Sequence, residues 1–118
     1  MFTYAAHIDK VVDGDTMDMS VDLGFNIWHK VRIRLNGLDT PEHGTVFGDS
    51  VKAFVMSHLE GTDVVVTTWK PDKYGRILGE IFIKGESFNR VLLDRGYAKV
   101  YDGGKKTMWT AEELAKVV

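Results

Sequence analysis

The sequence predicts a mainly β (α+β) fold, in which a five-stranded barrel carries two or three helices. Three observations predict it. Five short segments have strand periodicity, and glycine, proline, asparagine or aspartate bounds them. Segments with helical spacing follow the third and the fifth of these strands. The 118 residues are 44% hydrophobic, enough for one compact core, so we expect residues 1–118 to form a single domain.

The first third of the chain is predicted to contain three strands. Residues 3–12 mix apolar and β-branched residues and end at Gly14, where a glycine predicts a bend or a bulge. Apolar and polar residues alternate over residues 16–23, which predicts a half-buried second strand. Residues 24–26 then turn the chain into a third strand over residues 27–36, so that the second and third strands form a hairpin.

A loop and a helix are predicted next. Residues 43–48 have no periodicity and contain two glycines, so we expect a mobile loop. Asp49 or Ser50 is the expected N-cap of a helix whose apolar residues recur at helical spacing as far as Leu59. Gly61 is expected to close this helix.

The remaining segments supply two strands and two helices. Residues 63–69 and 77–84 are the predicted fourth and fifth strands. A second helix is predicted over about 87–95, and Thr110 begins a capping-box pattern that predicts a short third helix. Strands and helices in this order favour a five-stranded oligonucleotide/oligosaccharide-binding (OB-fold) barrel, although the pattern alone leaves an open α+β sheet as an alternative.

Composition narrows the class of protein. There is no cysteine, which excludes disulfides and thiolate-ligated zinc sites. No apolar run approaches the ~18 residues of a membrane span, and the N-terminus lacks the pattern of a signal peptide. We therefore expect a cytoplasmic protein with no membrane partner, or a secreted one if a leader has been removed. The net charge of −2 argues mildly against a nucleic-acid binder, because such domains are often strongly basic.

Three separated stretches bring polar side chains to predicted strand ends. They are Asp13-Gly14-Asp15-Thr16, Arg34 with Asp39-Thr40-Pro41-Glu42, and Asp72-Lys73-Tyr74-Gly75-Arg76. Carboxylates that attract a divalent cation, a further glutamate and two arginines are what metal-assisted attack on a phosphodiester requires. Each stretch alone has a plain alternative, since Asp-Gly is a common turn, a threonine can cap a turn, and surface arginines are usually solvated.

Taken together, these motifs resemble the staphylococcal nuclease family of thermonucleases. The spacing from Arg34 to Asp39 and Glu42 fits that family, as does the later run over residues 89–100, and the resemblance covers roughly residues 5–101. It implies the five-stranded SNase-like OB-fold barrel. It also implies calcium-dependent cleavage of DNA and RNA at the P–O5′ bond, which leaves 3′-phosphate ends.

The resemblance also implies roles for single residues. Calcium would be bound by Asp15, by Asp39 and by the backbone carbonyl of Thr40. Asp13 would lie next to these ligands without contacting the ion. Arg34 and Arg76 would bind the reacting phosphate, and Glu42 would be the general base. Two arginines suit that task because each guanidinium forks onto phosphate oxygens and keeps its charge near neutral pH.

Substrate contacts are implied as well. Lys73 and Tyr74 would contact a neighbouring phosphate or sugar, and Tyr101 is the one counterpart of the tyrosine pair that stacks the base. The expected substrates are DNA and RNA, single-stranded or frayed by preference, and the expected state is a monomer. This sequence departs from the family in a shorter loop after Glu42 and in residues 102–106, which replace a lysine-proline turn.

Other residues receive structural interpretations. Trp28, Trp69 and Trp109 are interpreted as core or helix-staple residues, and His43 as an ordinary loop residue. Lys105-Lys106 is interpreted as a solvated turn, with a phosphate contact as the alternative. Two other functions stay open. One is a noncatalytic OB-fold module that binds nucleic acid or protein, and the other is a protein-binding domain with an incidental calcium site.

Overall fold

Five long strands close into a mixed barrel in the computed structural model, which describes residues 1–117. The strands are β1 (Phe2–Asp13), β2 (Thr16–Asp22), β3 (Trp28–Leu35), β4 (Leu38–Asp39), β5 (Asp63–Thr68), β6 (Ile77–Ile83), β7 (Glu86–Ser87) and β8 (Lys99–Val100), and the helices are α1 (Val46–Leu59), α2 (Phe88–Asp94) and α3 (Ala111–Leu114). Antiparallel pairing in the order β3-β2-β1-β5-β6 is closed by parallel pairing of β3 with β6. The predicted barrel is confirmed.

The five predicted strands are found close to their predicted bounds because alternating side chains fill the barrel. In β2, Met17, Met19 and Val21 are buried while the residues between them are half-buried. A bulge lies between Val11 and Asp13 in β1, just before the tight turn that contains Gly14. These features agree with the expected half-buried strand and with a bend at this corner.

Helix α1 begins earlier than predicted. Thr45 is its N-cap, with a side chain that accepts a hydrogen bond from the backbone N–H of Gly48 at 3.0 Å. The prediction of Asp49 or Ser50 as the cap was therefore wrong, and residues 46–48 are the first helical turn instead of a loop. Two glycines close to each other concealed this turn, because glycine lowers helix propensity without preventing a helix whose end is well capped.

The second and third helices agree with prediction. Ser87 caps α2, and Gly96 follows that helix with a φ of 74°, the left-handed conformation expected at a helix end. Thr110 and Glu113 form the predicted capping box at α3. Within residues 1–117, none of the helices combines the length and the apolar character that crossing a membrane requires.

One small sheet was not predicted. Strands β4 and β8 pair antiparallel, so that Leu38 lies opposite Val100 and Asp39 lies opposite Lys99. Each strand has two residues, too few for any periodicity, so only the folded chain reveals the pairing. The sheet attaches the segment after α2 beside the strand that carries Asp39.

The tryptophans differ from the prediction. Trp28 is 56% exposed on β3, so its interpretation as a core or staple residue was wrong. Trp69 and Trp109 are half-buried, and Trp109 packs against the barrel core. Trp28 lies opposite Asp22 of β2, on the part of β3 that precedes the parallel pairing with β6.

Candidate active site

Arg34 lies at the centre of the site and is only 3% exposed. It stands near the end of β3, where its Nη1 donates to the carbonyl oxygens of Leu35 at 3.4 Å and Leu38 at 3.2 Å. Its Nη2 lies 3.5 Å from Oδ2 of Asp15 and 3.6 Å from Oδ1 of Asp39. The guanidinium is thus held between two carboxylates by backbone contacts on its other side.

Pairing of β2 with β3 brings Asp15 to Arg34, since Thr16 lies opposite Arg34 in this hairpin. Asp15 occupies the turn between β1 and β2, and its carbonyl oxygen accepts a hydrogen bond from the backbone N–H of Leu35 at 2.8 Å. A side chain at Gly14 would come within 2.9 Å of Val51 and 3.1 Å of the Thr40 hydroxyl. The turn can approach Thr40 and α1 this closely because residue 14 has no Cβ.

Glu42 is positioned through its backbone. Its carbonyl oxygen accepts a hydrogen bond from the Thr45 hydroxyl at 2.6 Å, and Thr45 is also the cap of α1. Gly48, in the first turn of that helix, approaches the same carbonyl so closely that a Cβ there would collide with it. The Glu42 residue itself is exposed, so the helix start fixes where a solvent-accessible carboxylate stands.

Arg76 reaches the site from the turn between β5 and β6. Its Nε donates to Oδ2 of Asp72 at 2.8 Å, while Oδ1 of Asp72 accepts from the backbone N–H groups of Tyr74 and Arg76, each at 2.9 Å. Burial raises the pKa of Asp72, but these two N–H groups and the guanidinium outweigh it and hold the pKa below its usual value. The Tyr74 ring lies 5.2 Å from the Arg76 guanidinium carbon.

Two cavities of about 520 Å³ each adjoin at the two arginines. The first, here called the acidic cavity, is lined by the predicted metal-binding and catalytic residues Asp15, Arg34, Asp39, Thr40, Glu42 and Arg76. The second also contains Arg34 and Arg76 and is lined in addition by the predicted substrate-binding residues Lys73, Tyr74 and Tyr101. The three separated stretches of sequence therefore meet as expected.

Comparison with known proteins identifies the family. The family model described as "Staphylococcal nuclease homologue" matches residues 32–118. The chain belongs to the staphylococcal nuclease family. Membership supports a nuclease, and so a hydrolase with nucleic acid substrates, at the level of the family.

Three relatives illustrate the relationship. An "Uncharacterized endonuclease" of Escherichia coli is 34% identical over 94 residues, covering 79% of this chain and 58% of its own length. "Staphylococcal-like nuclease CAN1" of Arabidopsis thaliana is 35% identical over 61% of this chain and 22% of its own length. A "Micrococcal nuclease" of Shigella flexneri is 26% identical over 83% and 59%. The chain thus spans less than two thirds of each of these relatives.

The donor set in this staphylococcal nuclease homologue suits a hard divalent cation. Among residues 1–117, no group of three or more histidine, aspartate or glutamate side chains is arranged to share a metal ion. Asp15 and Asp39 nevertheless face the same arginine, and Thr40 lines the same cavity. Two carboxylates and a carbonyl are oxygen ligands of the type that calcium accepts while water completes its coordination. The residues present therefore fit a partly hydrated ion.

Two residues near Asp39 were missed by the sequence analysis. Nζ of Lys106 lies 3.3 Å from Oδ1 of Asp39, and Nε1 of Trp109 donates to its Oδ2 at 3.4 Å. Lys106 is exposed, as the interpretation of a solvated turn predicts, but it also pairs with Asp39, and Trp109 does more than pack against the core. No local pattern marks either contact, because both depend on the C-terminal segment folding back over β4.

His43 makes a contact that the sequence analysis did not predict. Its Nδ1 lies 2.7 Å from Oδ1 of Asp13, across the mouth of the acidic cavity. His43 is an exposed turn residue, as expected, but its contact with Asp13 was not predicted. A usable signal was present, since His43 follows Glu42 directly, and Asp13 belongs to the first acidic motif.

Proposed function

We propose that this protein is a calcium-dependent, sugar-nonspecific nuclease that hydrolyses DNA and RNA at the P–O5′ bond and leaves 3′-phosphate ends. One observation carries the proposal. Two carboxylates, a buried arginine, an exposed glutamate and a second arginine line one cavity, although they come from three distant stretches of the chain. Metal-assisted attack on a phosphodiester uses each of these groups.

Asp15, Asp39 and the carbonyl of Thr40 are the groups that would hold calcium. The bound ion would supply positive charge beside an anionic phosphate oxygen, which lowers the electrostatic barrier to a nucleophile. In the free protein the single positive charge of Arg34 faces both carboxylates. The site is therefore held together before any ion or substrate arrives.

Arg34 and Arg76 would bind the phosphate that reacts. Arg34 has little freedom, because its Nη1 is fixed by two backbone carbonyls. Arg76 is oriented by Asp72, yet its side chain is 41% exposed and can reach a ligand in either cavity. As negative charge grows on the equatorial oxygens, cations already in place gain interaction energy, which lowers the barrier.

Glu42 would accept the proton of the attacking water. Its exposed carboxylate lines the acidic cavity together with the two arginines. The electron pair of the P–O5′ bond would leave with the 5′ oxygen, so the phosphate stays on the 3′ side. A general base contributes about 10²–10⁴-fold to such a rate.

Substrate would extend into the second cavity. Lys73 and Tyr74 are exposed beside Arg76, and Tyr101 offers its ring within 5.4 Å of the Arg34 guanidinium carbon. A base needs an open strand to stack on such a ring, which favours single-stranded or frayed DNA and RNA. We propose that the protein acts as a monomer, since both cavities are lined by one chain.

Digestion with end-group analysis tests the proposal. Single-stranded DNA, duplex DNA and RNA are incubated with the protein in calcium and in excess chelator, and the product ends are identified. We expect cleavage with calcium, leaving 3′-phosphate ends, and no cleavage in excess chelator. Glu42→Gln purified in the same way controls for contaminating nucleases. Absence of cleavage up to millimolar calcium would contradict the proposal and favour a noncatalytic binding module.

A further inference from the structure

The side chain of Lys106 lies beside the proposed metal-binding carboxylate of Asp39. The distance of 3.3 Å between Nζ and Oδ1 is shorter than the 3.6 Å from the same oxygen to Arg34. Asp15 and Asp39 together carry two negative charges, and Arg34 with Lys106 carries two positive charges. In the free protein the cluster is therefore neutral.

The placement of Lys106 is built into the fold. Lys99 lies opposite Asp39 in the β4–β8 sheet, and its Nζ contacts the hydroxyl of Thr107 at 3.1 Å, the carbonyls of Thr107 and Met108 at 3.3 Å, and Glu113 at 3.3 Å. These contacts hold the segment that follows Lys106 against the strand that carries Asp39. The backbone position of Lys106 therefore places its side chain beside the Asp39 carboxylate.

Lys106 also borders a basic surface. Its side chain is 51% exposed, and Nζ lies 5.6 Å from the Tyr101 ring. A third cavity of about 860 Å³ is lined by the cationic residues Lys73, Arg76, Lys105 and Lys106 together with two tyrosines. A lysine stem is flexible, so the ammonium group can lie over Asp39 or turn towards a phosphate in this cavity.

We propose that Lys106 is a tethered counter-cation that competes with the divalent ion for Asp39 and, once displaced, binds substrate phosphate. The inference rests on the proposed function, because it concerns the same ion and substrate. An ammonium group next to a carboxylate repels an incoming dication and must move for the ion to bind. The displaced charge is then free for the substrate, so metal binding prepares the phosphate site.

Calcium affinity measured by titration calorimetry on the whole 118-residue chain tests this, with no substrate present. We expect Lys106→Met to bind calcium about tenfold more tightly than wild type, because the competing charge is gone while a side chain of similar length remains. Lys106→Arg keeps the charge and should stay within about threefold of wild type. Lys30→Met is the matched control, since Lys30 is exposed on β3 and lines neither the acidic nor the basic cavity, and its calcium affinity should be unchanged.

A second measurement separates competition between Lys106 and calcium from a general change in ligand affinity. With calcium saturating, a nucleoside 3′,5′-bisphosphate should bind several-fold more weakly to Lys106→Met than to wild type, because one phosphate-binding charge is lost. Opposite changes in the two affinities are the expected signature. If wild type binds calcium and Lys106→Met binds it no more tightly, the inference is wrong while the nuclease proposal stands. If wild type binds no calcium at millimolar concentration, the calcium assignment itself is overturned.

Discussion

Nε1 of Trp109 donates a hydrogen bond to Oδ2 of Asp39 at 3.4 Å, which joins the C-terminal segment to the proposed metal ligand. The two residues are seventy positions apart in the sequence. The Trp109 ring also lies 4.9 Å from Nζ of Lys99, the lysine that holds the same segment. One face of the indole therefore secures the segment while its N–H orients a carboxylate.

Trp109→Phe should disturb Asp39 more than it disturbs the fold. Phenylalanine keeps an aromatic ring but has no donor, so we expect a loss of about 1 kcal/mol in the free energy of unfolding. Calcium-dependent cleavage should fall several-fold because Asp39 is less well oriented. Urea unfolding and initial cleavage rates measure the two effects, and Trp28→Phe, on the exposed part of β3, is the control. Equal cleavage by all three proteins would contradict an orienting role.

Glu42→Gln should abolish most turnover without removing ligand binding. Glutamine has the same size and cannot accept the proton of water, so we expect cleavage to fall about a thousandfold. Binding of calcium and of a nucleoside 3′,5′-bisphosphate should be retained, as measured by calorimetry. Glu86→Gln, an exposed glutamate on β7, should have wild-type activity. A fully active Glu42→Gln would show that Glu42 is not the general base.

Arg34→Met should destabilise the calcium-free protein by about 3 kcal/mol, because it leaves two largely buried carboxylates without their shared partner. Calcium should restore part of this loss, since an ion that binds only the folded state stabilises it. Urea unfolding with and without calcium measures both effects. Arg32→Met is the control on the same strand, where the arginine is exposed and pairs with Asp18, so stability should change little. Equal effects of the two substitutions would argue against the central placement of Arg34.

Gly48→Ala should be destabilising although alanine is the better helix former. In an ordinary helix interior the substitution gains about 1 kcal/mol. Here the new methyl group collides with the carbonyl of Glu42, so we expect a net loss of about 2 kcal/mol and a lower cleavage rate. Thermal unfolding and cleavage assays check both. A stabilised variant would mean that the Glu42 segment can move away freely.

Asp72 should contribute to stability in a pH-dependent manner. Its folded-state pKa lies below the reference value of about 3.9, so between the two values the unfolded chain binds more protons. This contribution is fully present above about pH 5 and is lost as the pH falls through the folded-state pKa. Urea unfolding at pH 7 and at pH 3 should therefore show a smaller difference between wild type and Asp72→Asn at pH 3. If the stability difference between wild type and Asp72→Asn were the same at both pH values, Asp72 would not have a lowered pKa in the folded state.

Much of the fold could be predicted because its signals are local. Alternation in β2, the capping box at Thr110 and the stop at Gly96 depend on neighbouring residues, and each was found as predicted. The start of α1 was missed because its N-cap, Thr45, lies between Gly44 and Gly48, a composition that is typical of a loop. The motifs also indicated which side chains belong to the site, since polar residues at strand ends meet when a barrel closes.

The sequence by itself determined the strands of the barrel, the resemblance to the family and most of the polar residues that line the acidic cavity, because short-range periodicity and motif spacing are written along the chain. Only the tertiary structure decided that Lys106 and Trp109 share Asp39 and that His43 faces Asp13. The physical reason is the range of the interactions. The two contacts to Asp39 depend on the two-residue pairing of β4 with β8 and on the hydrogen bonds of Lys99 to the C-terminal segment. The third contact joins the end of β1 to the turn before α1. All three act between segments far apart in the chain and leave no repeating pattern in either one.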